Sequence, residues 1–119
     1  MPNILKIKPI DNWLKKNNWN YYNHQIETLK LSENGFDVLL VAPTGGGKTL
    51  AGFLPSLNDL INNRPEKNKL HTLYISPLKA LTIDVHRNLN NPIEDQGLDI
   101  RVETRTGDTS AYKKNRQKV

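Results

Sequence analysis

Apolar positions near the start of the chain recur at the three- and four-residue steps that are typical of helices. They predict a short helix over residues 11–18 and a longer one over residues 23–31. Asn23 is a suitable N-cap for the second helix, and Gly35 follows that helix as a stop signal. We therefore expect two helices to precede the first extended segment of the chain.

Three stretches further along the chain have the patterns of β-strands. Residues 38–42 form an unbroken apolar run, which is typical of a strand buried on both faces. Residues 70–76 predict a second strand, and residues 100–105 alternate apolar and polar positions as a strand with one polar face does. Each predicted strand is followed by a predicted helix: residues 48–62, residues 78–90, and a last one capped by Asp108 or Thr109.

The order of these elements predicts the fold class. A helix followed by alternating strands and helices is typical of α/β proteins, in which right-handed crossovers build a parallel sheet with flanking helices. Pro92 and Gly97 are predicted to lie in the loop before the third strand. We therefore expect an α/β fold with a parallel sheet.

Composition narrows the class of protein further. The chain has 119 residues and a net charge of +5, which allows one domain at most with a modest core. It has no cysteine, so disulfide scaffolds, thiolate zinc sites and cysteine nucleophiles are excluded. The longest apolar run, residues 38–42, is far shorter than the about 20 residues of a membrane helix, and the first ten residues lack a secretory-type apolar segment. We expect a cytoplasmic protein without a membrane partner.

The positive charge is concentrated at the two ends of the chain. Residues 101–119 hold six basic and two acidic residues, and residues 1–24 hold four basic and one acidic residue. Residues 25–100 hold seven basic and nine acidic residues. A basic end can contact phosphates, although charge alone favours a solvated helix face.

One segment carries recognisable chemistry. Residues 42–49 read Ala-Pro-Thr-Gly-Gly-Gly-Lys-Thr, a Walker A form with Ala42 in place of the first glycine, between a predicted strand and a predicted helix. The glycines let backbone N–H groups converge on an anion at the helix N-terminus. A plain glycine turn accounts poorly for the pattern, because three glycines and a lysine in the first helical turn are all unfavourable without a phosphate.

This loop therefore predicts a binding site for ATP and Mg²⁺. Lys48 is expected to neutralise the β- and γ-phosphates, and the Thr49 hydroxyl is expected to bind the Mg²⁺ that bridges them. These two are the predicted catalytic residues. The predicted ATP-binding residues of the loop are Thr44, Gly45, Gly46, Gly47, Lys48 and Thr49.

The loop resembles motif I of superfamily 2 helicases, and the rest of the chain resembles their first RecA-like domain. The pair His24-Gln25 resembles the Q motif, which implies that the Gln25 amide binds adenine. The residues before this pair differ from the proline-threonine-proline lead of many relatives. Trp19 and Tyr22 are candidates for stacking on the base, although a core role is favoured for either ring alone.

Two further blocks resemble the family's strand-binding motifs. Residues 76–81, Ser-Pro-Leu-Lys-Ala-Leu, resemble motif Ia, and residues 105–108, Arg-Thr-Gly-Asp, resemble the Thr-Gly-Asp element. The resemblance implies contacts to the sugar-phosphate backbone of a single strand, and Lys79 and helix N-terminal groups have suitable chemistry. The implied contact residues are Pro77, Lys79, Thr106 and Gly107.

The amino-acid sequences of these blocks are most similar to those of the Lhr-type (large helicase-related) DExH-box enzymes, and within that group to the ligase-associated DNA-repair branch. The resemblance runs from about residue 13 to residue 119. It implies an ATP-dependent motor on single-stranded nucleic acid, with DNA as the expected strand and ATP and Mg²⁺ as cofactors. The expected domain is the N-terminal part of RecA-like domain 1, with the remainder of domain 1 and RecA-like domain 2 as its partners.

The acid pair that hydrolysis needs is not found in the chain. The family supplies it as Asp-Glu-x-His, and no Asp-Glu dipeptide occurs here. Glu94 and Asp95 are rejected because the pattern places them in a loop. We therefore expect residues 1–119 to be truncated before the DExH motif, inactive alone, and incomplete as a sheet, with residues 38–41 left at unpaired edges.

Two other functions stay open at this stage. The chain fits a non-catalytic module that binds nucleic acid or a partner and is derived from a helicase. It also fits a P-loop phosphotransferase, although the motif Ia and Thr-Gly-Asp blocks argue against that reading. An ATPase assay stimulated by nucleic acid separates the motor from the binding module. The choice between DNA and RNA and the translocation polarity are left open by the sequence.

Overall fold

The computed structural model of the chain describes residues 7–43, 47–63 and 69–118. Within these ranges it contains helices and no β-strand, and none of the helices has the length and apolar character that crossing a membrane requires. The chain divides into two compact units, residues 1–64 and residues 65–119. The helices are α1 (Lys8–Lys16), α2 (Asn23–Glu33), α3 (Lys48–Asn62), α4 (Lys79–Asp95) and α5 (Ala111–Gln117).

The core of the first unit is built mainly by α2 and α3, which pack against each other. Leu29 of α2 and Leu54 of α3 are completely buried. Complete burial of a leucine side chain stabilises a fold by about 1.5–3 kcal/mol, so these contacts hold the two helices together. Helix α1 buries Ile10, Trp13 and Leu14.

Three helices end in the same hydrogen-bonded motif, in which the residue after the C-cap has a positive φ angle. That residue is Asn18 after α1, Gly35 after α2 and Gly97 after α4. After α2, the Phe36 N–H donates to the Leu31 carbonyl at 3.0 Å, which is the longer-range bond of a Schellman motif. The stop signal predicted at Gly35 is therefore confirmed.

The predicted helices are present, but some of their caps differ. Helix α3 has the predicted bounds, residues 48–62. Asn23 is the first residue of α2 rather than its N-cap, because Tyr22 has the extended backbone of the N-cap. The N-cap of α5 is Ser110, whose Oγ accepts from the Lys113 N–H, so the prediction of Asp108 or Thr109 was wrong.

Helix α4 continues past the loop that we predicted at Pro92. It runs to Asp95, with Pro92 inside the helix. Pro92 is fully buried and Ile93 is nearly so, and this burial offsets the hydrogen bond that proline cannot donate. Glu94 and Asp95 consequently end a helix and do not lie in a loop, contrary to the prediction.

The predicted parallel sheet is absent from the part of the chain that the structure describes. Residues 38–42, 70–76 and 100–105 are neither helix nor strand there. Leu39 is 91% exposed and Val41 is 84% exposed, so the burial predicted for this segment was wrong. The physical reason is that a strand exists only when a neighbour pairs with its N–H and C=O groups.

In the second unit, α4 and α5 both contact the segment between them, residues 98–105. Nε2 of His86 on α4 lies 3.0 Å from the Val102 carbonyl oxygen. Nε2 of Gln117 on α5 donates to the Thr104 carbonyl at 3.0 Å. These two side chains hydrogen-bond to backbone oxygens of residues 98–105, as a neighbouring strand would otherwise do.

Candidate nucleotide-binding and nucleic-acid-binding residues

The end of the glycine-rich loop is held by Gly47 and Lys48. Gly47 is the N-cap of α3 and has φ +76°, in the left-handed region that glycine adopts readily. The Lys48 ammonium donates to the Ala42 carbonyl oxygen at 2.7 Å, so the loop is closed from its first residue to the start of α3. Thr49 lies half-buried in the first turn of that helix. Thr44, Gly45 and Gly46, which we also predicted to bind ATP, lie outside the described residues.

Gln25 connects the helix before the loop to the loop itself. Its side chain is buried, with 3% of the residue exposed. The amide oxygen accepts from the Tyr22 N–H at 2.8 Å, and Nε2 donates to the Gly47 carbonyl at 3.1 Å. A primary amide has two donor hydrogens and two lone pairs, so beyond its partners among the described residues each end of the Gln25 amide has capacity for one further hydrogen bond. The structure thus brings together two of the residues that the sequence assigned to ATP.

Tyr22 is the aromatic candidate that lies beside the loop. A Cβ atom placed on Gly47 would stand 3.0 Å from the Tyr22 ring, and the ring is also stacked on His24 with centroids 5.4 Å apart. Tyr22 is 53% exposed, so one part of its surface is open to a ligand. Trp19, the other candidate, contacts Trp13 edge to face at 5.4 Å.

A contact between Tyr21 and Asp11 fixes the approach to α2, and no sequence pattern predicted it. The Tyr21 hydroxyl donates to Oδ1 of Asp11 at 2.6 Å, which ties the segment before α2 to α1. Burial, together with this hydrogen bond, raises the pKa of Tyr21 well above its ordinary range. Tyr21 is therefore a neutral donor at every physiological pH, and the residues leading to Gln25 are anchored without a charge change.

In the second unit, the motif Ia residue Lys79 meets the Thr-Gly-Asp element. Lys79 is the first residue of α4, and its ammonium forms an ion pair with the carboxylate of Asp108. Both side chains are largely exposed, at 56% for Lys79 and 71% for Asp108. The two blocks that the sequence assigned to the strand are therefore adjacent. Pro77 and Gly107 are exposed near them in the chain, and Thr106 is half-buried.

The Thr-Gly-Asp element is a turn closed by its own side chains. The Thr106 hydroxyl accepts from the Asp108 N–H at 3.2 Å, and the Thr109 hydroxyl accepts from the Thr106 N–H at 2.8 Å. These bonds satisfy the Thr106 and Asp108 N–H groups, so the turn does not need the Asp108 carboxylate as an acceptor. The carboxylate is consequently available to pair with Lys79 and does not serve as the N-cap that we predicted.

Comparisons with known proteins agree with the motifs. A sequence profile of the DEAD/DEAH box helicase family matches residues 22–119. The ATP-dependent helicase Lhr-Core of Methanocaldococcus jannaschii is 36% identical over 92% of this chain and 14% of the relative. The Lhr helicase/uracil glycosylase of Escherichia coli is 38% identical over 77% of this chain and 7% of the relative. The chain thus spans only a small part of these relatives, and no solved structure gives a significant match.

Proposed function

The chain belongs to the DEAD/DEAH box helicase family, with Lhr-type relatives, and we propose that it binds ATP and single-stranded nucleic acid within an ATP-dependent helicase or translocase. We further propose that residues 1–119 are the N-terminal part of RecA-like domain 1. The observation that carries the proposal is the hydrogen bond from Gln25 to the Gly47 carbonyl. It connects the residue expected to bind adenine with the loop expected to bind the phosphates.

The residues of the loop suit a triphosphate. The Lys48 ammonium would exchange the Ala42 carbonyl for the β- and γ-phosphates, a charged partner that forms stronger hydrogen bonds than a carbonyl does. The first N–H groups of α3 lack partners within the helix and point toward the same anion. Mg²⁺, when bound, would neutralise charge on the phosphates, and the Thr49 hydroxyl is the proposed protein ligand.

The remaining hydrogen-bonding capacity of Gln25 suits adenine. The second N–H of its amide would match N7 of adenine, and the second lone pair of its oxygen would match the N6 amino group. Tyr22, exposed beside Gly47, is the proposed stacking surface for the base. Base and phosphates would then be bound by two elements that already touch each other.

Replacing Gln25 with alanine is expected to reduce the preference for ATP over GTP. A bidentate amide contact to adenine discriminates by about 1–3 kcal/mol, so we expect the preference to fall by roughly tenfold or more. Competition against a fluorescent ATP analogue, with the full-length protein, measures both affinities. Gln96→Ala, the same substitution at the end of α4, is the matched control. Equal losses of ATP and GTP affinity would contradict base recognition and assign Gln25 to loop structure.

The second unit is proposed to bind the strand. Lys79 begins a helix of 17 residues, and its ammonium lies at the Thr-Gly-Asp turn. Contacts from a lysine and from helix N-terminal N–H groups to phosphates position a strand without reading its sequence. We propose Pro77, Lys79, Thr106 and Gly107 as the contact residues. DNA as the strand and DNA repair as the process are proposed from the resemblance to the ligase-associated branch.

Replacing Lys79 with alanine is expected to weaken binding of single-stranded DNA by the full-length protein. Loss of one phosphate contact should also reduce the slope of log affinity against log salt by about 0.7. Fluorescence anisotropy at several salt concentrations measures both quantities. Lys30→Ala, which removes an exposed charge from α2, is the control and should leave them unchanged. An unaltered affinity and slope in Lys79→Ala would remove Lys79 from the strand site.

The proposal as a whole is tested by ATP hydrolysis in the presence and absence of single-stranded DNA. Stimulation of turnover by the strand is expected of a translocating motor. Binding of the strand with no turnover by the full-length protein would favour the non-catalytic module instead.

A further inference from the structure

The ion pair between Lys79 and Asp108 places a negative charge beside Lys79, the residue proposed to bind phosphates. A strand phosphate and the Asp108 carboxylate are both anions with the same kind of hydrogen-bond acceptor. They would therefore compete for the Lys79 ammonium. Because both side chains are largely exposed, the pair is weak enough to be exchanged when a phosphate arrives.

The other acid in the basic C-terminal stretch is already paired. Glu103 forms an ion pair with Arg116 of α5, and the hydrogen bond from that guanidinium holds the pKa of Glu103 below its usual value. Asp108 is thus the acid that faces the motif Ia lysine in the described residues.

We propose that Asp108 masks Lys79, so that a single strand must displace the carboxylate before Lys79 can bind a phosphate. The inference rests on the proposed strand-binding function, and it adds that Asp108 limits the affinity of the protein for the strand. Salt weakens the mask as well as the strand contact, since both are exposed ion pairs. The masked protein should therefore bind the strand more weakly at low salt, and its affinity should vary less steeply with salt, than a protein without the mask.

The experiment compares the wild-type full-length protein with Asp108→Asn, Lys79→Ala and the double variant. Fluorescein-labelled oligothymidylate is the probe, and anisotropy is measured over a range of sodium chloride concentrations. Asp108→Asn is expected to bind about two- to fivefold more tightly at low salt, the range that exposed ion pairs give, with a smaller gain as salt rises. In the Lys79→Ala background, the same substitution should give little gain, because the group that it unmasks is gone.

Two controls make the comparison specific. Asp84→Asn makes the same charge change on an exposed position of α4 and should give much less gain. Asp108→Ala should reproduce the effect of Asp108→Asn, because the turn uses the Asp108 N–H and not its side chain. Circular dichroism should show that each variant keeps its helices.

Three results would overturn the mask. If the wild-type protein binds the probe and Asp108→Asn binds it no more tightly, then Asp108 does not compete with the strand for Lys79. If its gain is the same with and without Lys79, or the same as that of Asp84→Asn, Asp108 acts only through general repulsion. If the wild-type protein binds no strand at any salt concentration, the proposed function fails and the mask fails with it.

Discussion

Lys48→Ala is expected to lower kcat/KM for ATP hydrolysis by the full-length protein by at least about a hundredfold, the size of effect seen when one electrostatic contact to a reacting group is removed. The lysine is the charged group at the start of α3, and alanine removes its positive charge from the proposed phosphate site. ATP turnover with saturating single-stranded DNA is the measurement.

The fold should tolerate this change. The Lys48 side chain is exposed, and its partner within the described residues is the Ala42 carbonyl, which water can satisfy. We therefore expect an unchanged melting temperature alongside the lost turnover. Lys15→Ala, at an exposed position of α1, removes the same charge elsewhere and should retain full activity. Wild-type turnover in Lys48→Ala would mean that Lys48 does not bind the phosphates.

Gly47→Ala is expected to have the second largest effect, because it combines two penalties. At φ +76° an alanine is strained by roughly 1–2 kcal/mol. Its Cβ would also stand 2.6 Å from Nε2 of Gln25, so the Gln25 amide must leave the Gly47 carbonyl. We expect a lower melting temperature and a loss of ATP affinity of at least about tenfold, since the two penalties together exceed 1.4 kcal/mol.

The same helix offers a matched control for this substitution. Gly52 is exposed in the middle of α3, and a Cβ atom placed there meets nothing within 4 Å. Gly52→Ala should therefore stabilise the protein by about 0.5–1 kcal/mol through helix propensity and leave ATP affinity unchanged. Thermal unfolding and titration with the fluorescent ATP analogue measure both variants. If Gly47→Ala behaved like Gly52→Ala, the contact between the loop and Gln25 would have no role.

The helices followed from the sequence because their signals are local. Helix α3 begins after a glycine run and ends at a polar stretch, and its bounds were predicted correctly. The sheet did not follow, because the pairing of residues 38–42 depends on other strands and not on the segment's own pattern. The prediction of a loop at Pro92 was wrong for a similar reason. The burial of Pro92 is a tertiary effect, and the rule that proline ends a helix does not take it into account.

In the candidate site, too, local motifs were predicted from the sequence and contacts between separate elements were not. Lys48 was predicted from the spacing of the Walker A segment, and Gln25 from the resemblance of its block to the Q motif. The contacts that join the blocks were not found, because they connect side chains from separate elements. The Tyr21–Asp11 hydrogen bond and the Lys79–Asp108 ion pair are of this kind. Asp108 was predicted to be a cap because the type of residue suits that role, and Ser110 took the role instead.

The hydrogen bond between Gln25 and Gly47 has a consequence for the energetics of nucleotide recognition. Adenine bound to the Gln25 amide as proposed would restrict the carbonyl end of the glycine-rich loop at the same time. The triphosphate then encounters a loop whose ordering entropy has partly been lost already. The two halves of the ligand should accordingly bind with positive cooperativity, so that ATP binds more tightly than the separate affinities of adenosine and inorganic triphosphate would indicate.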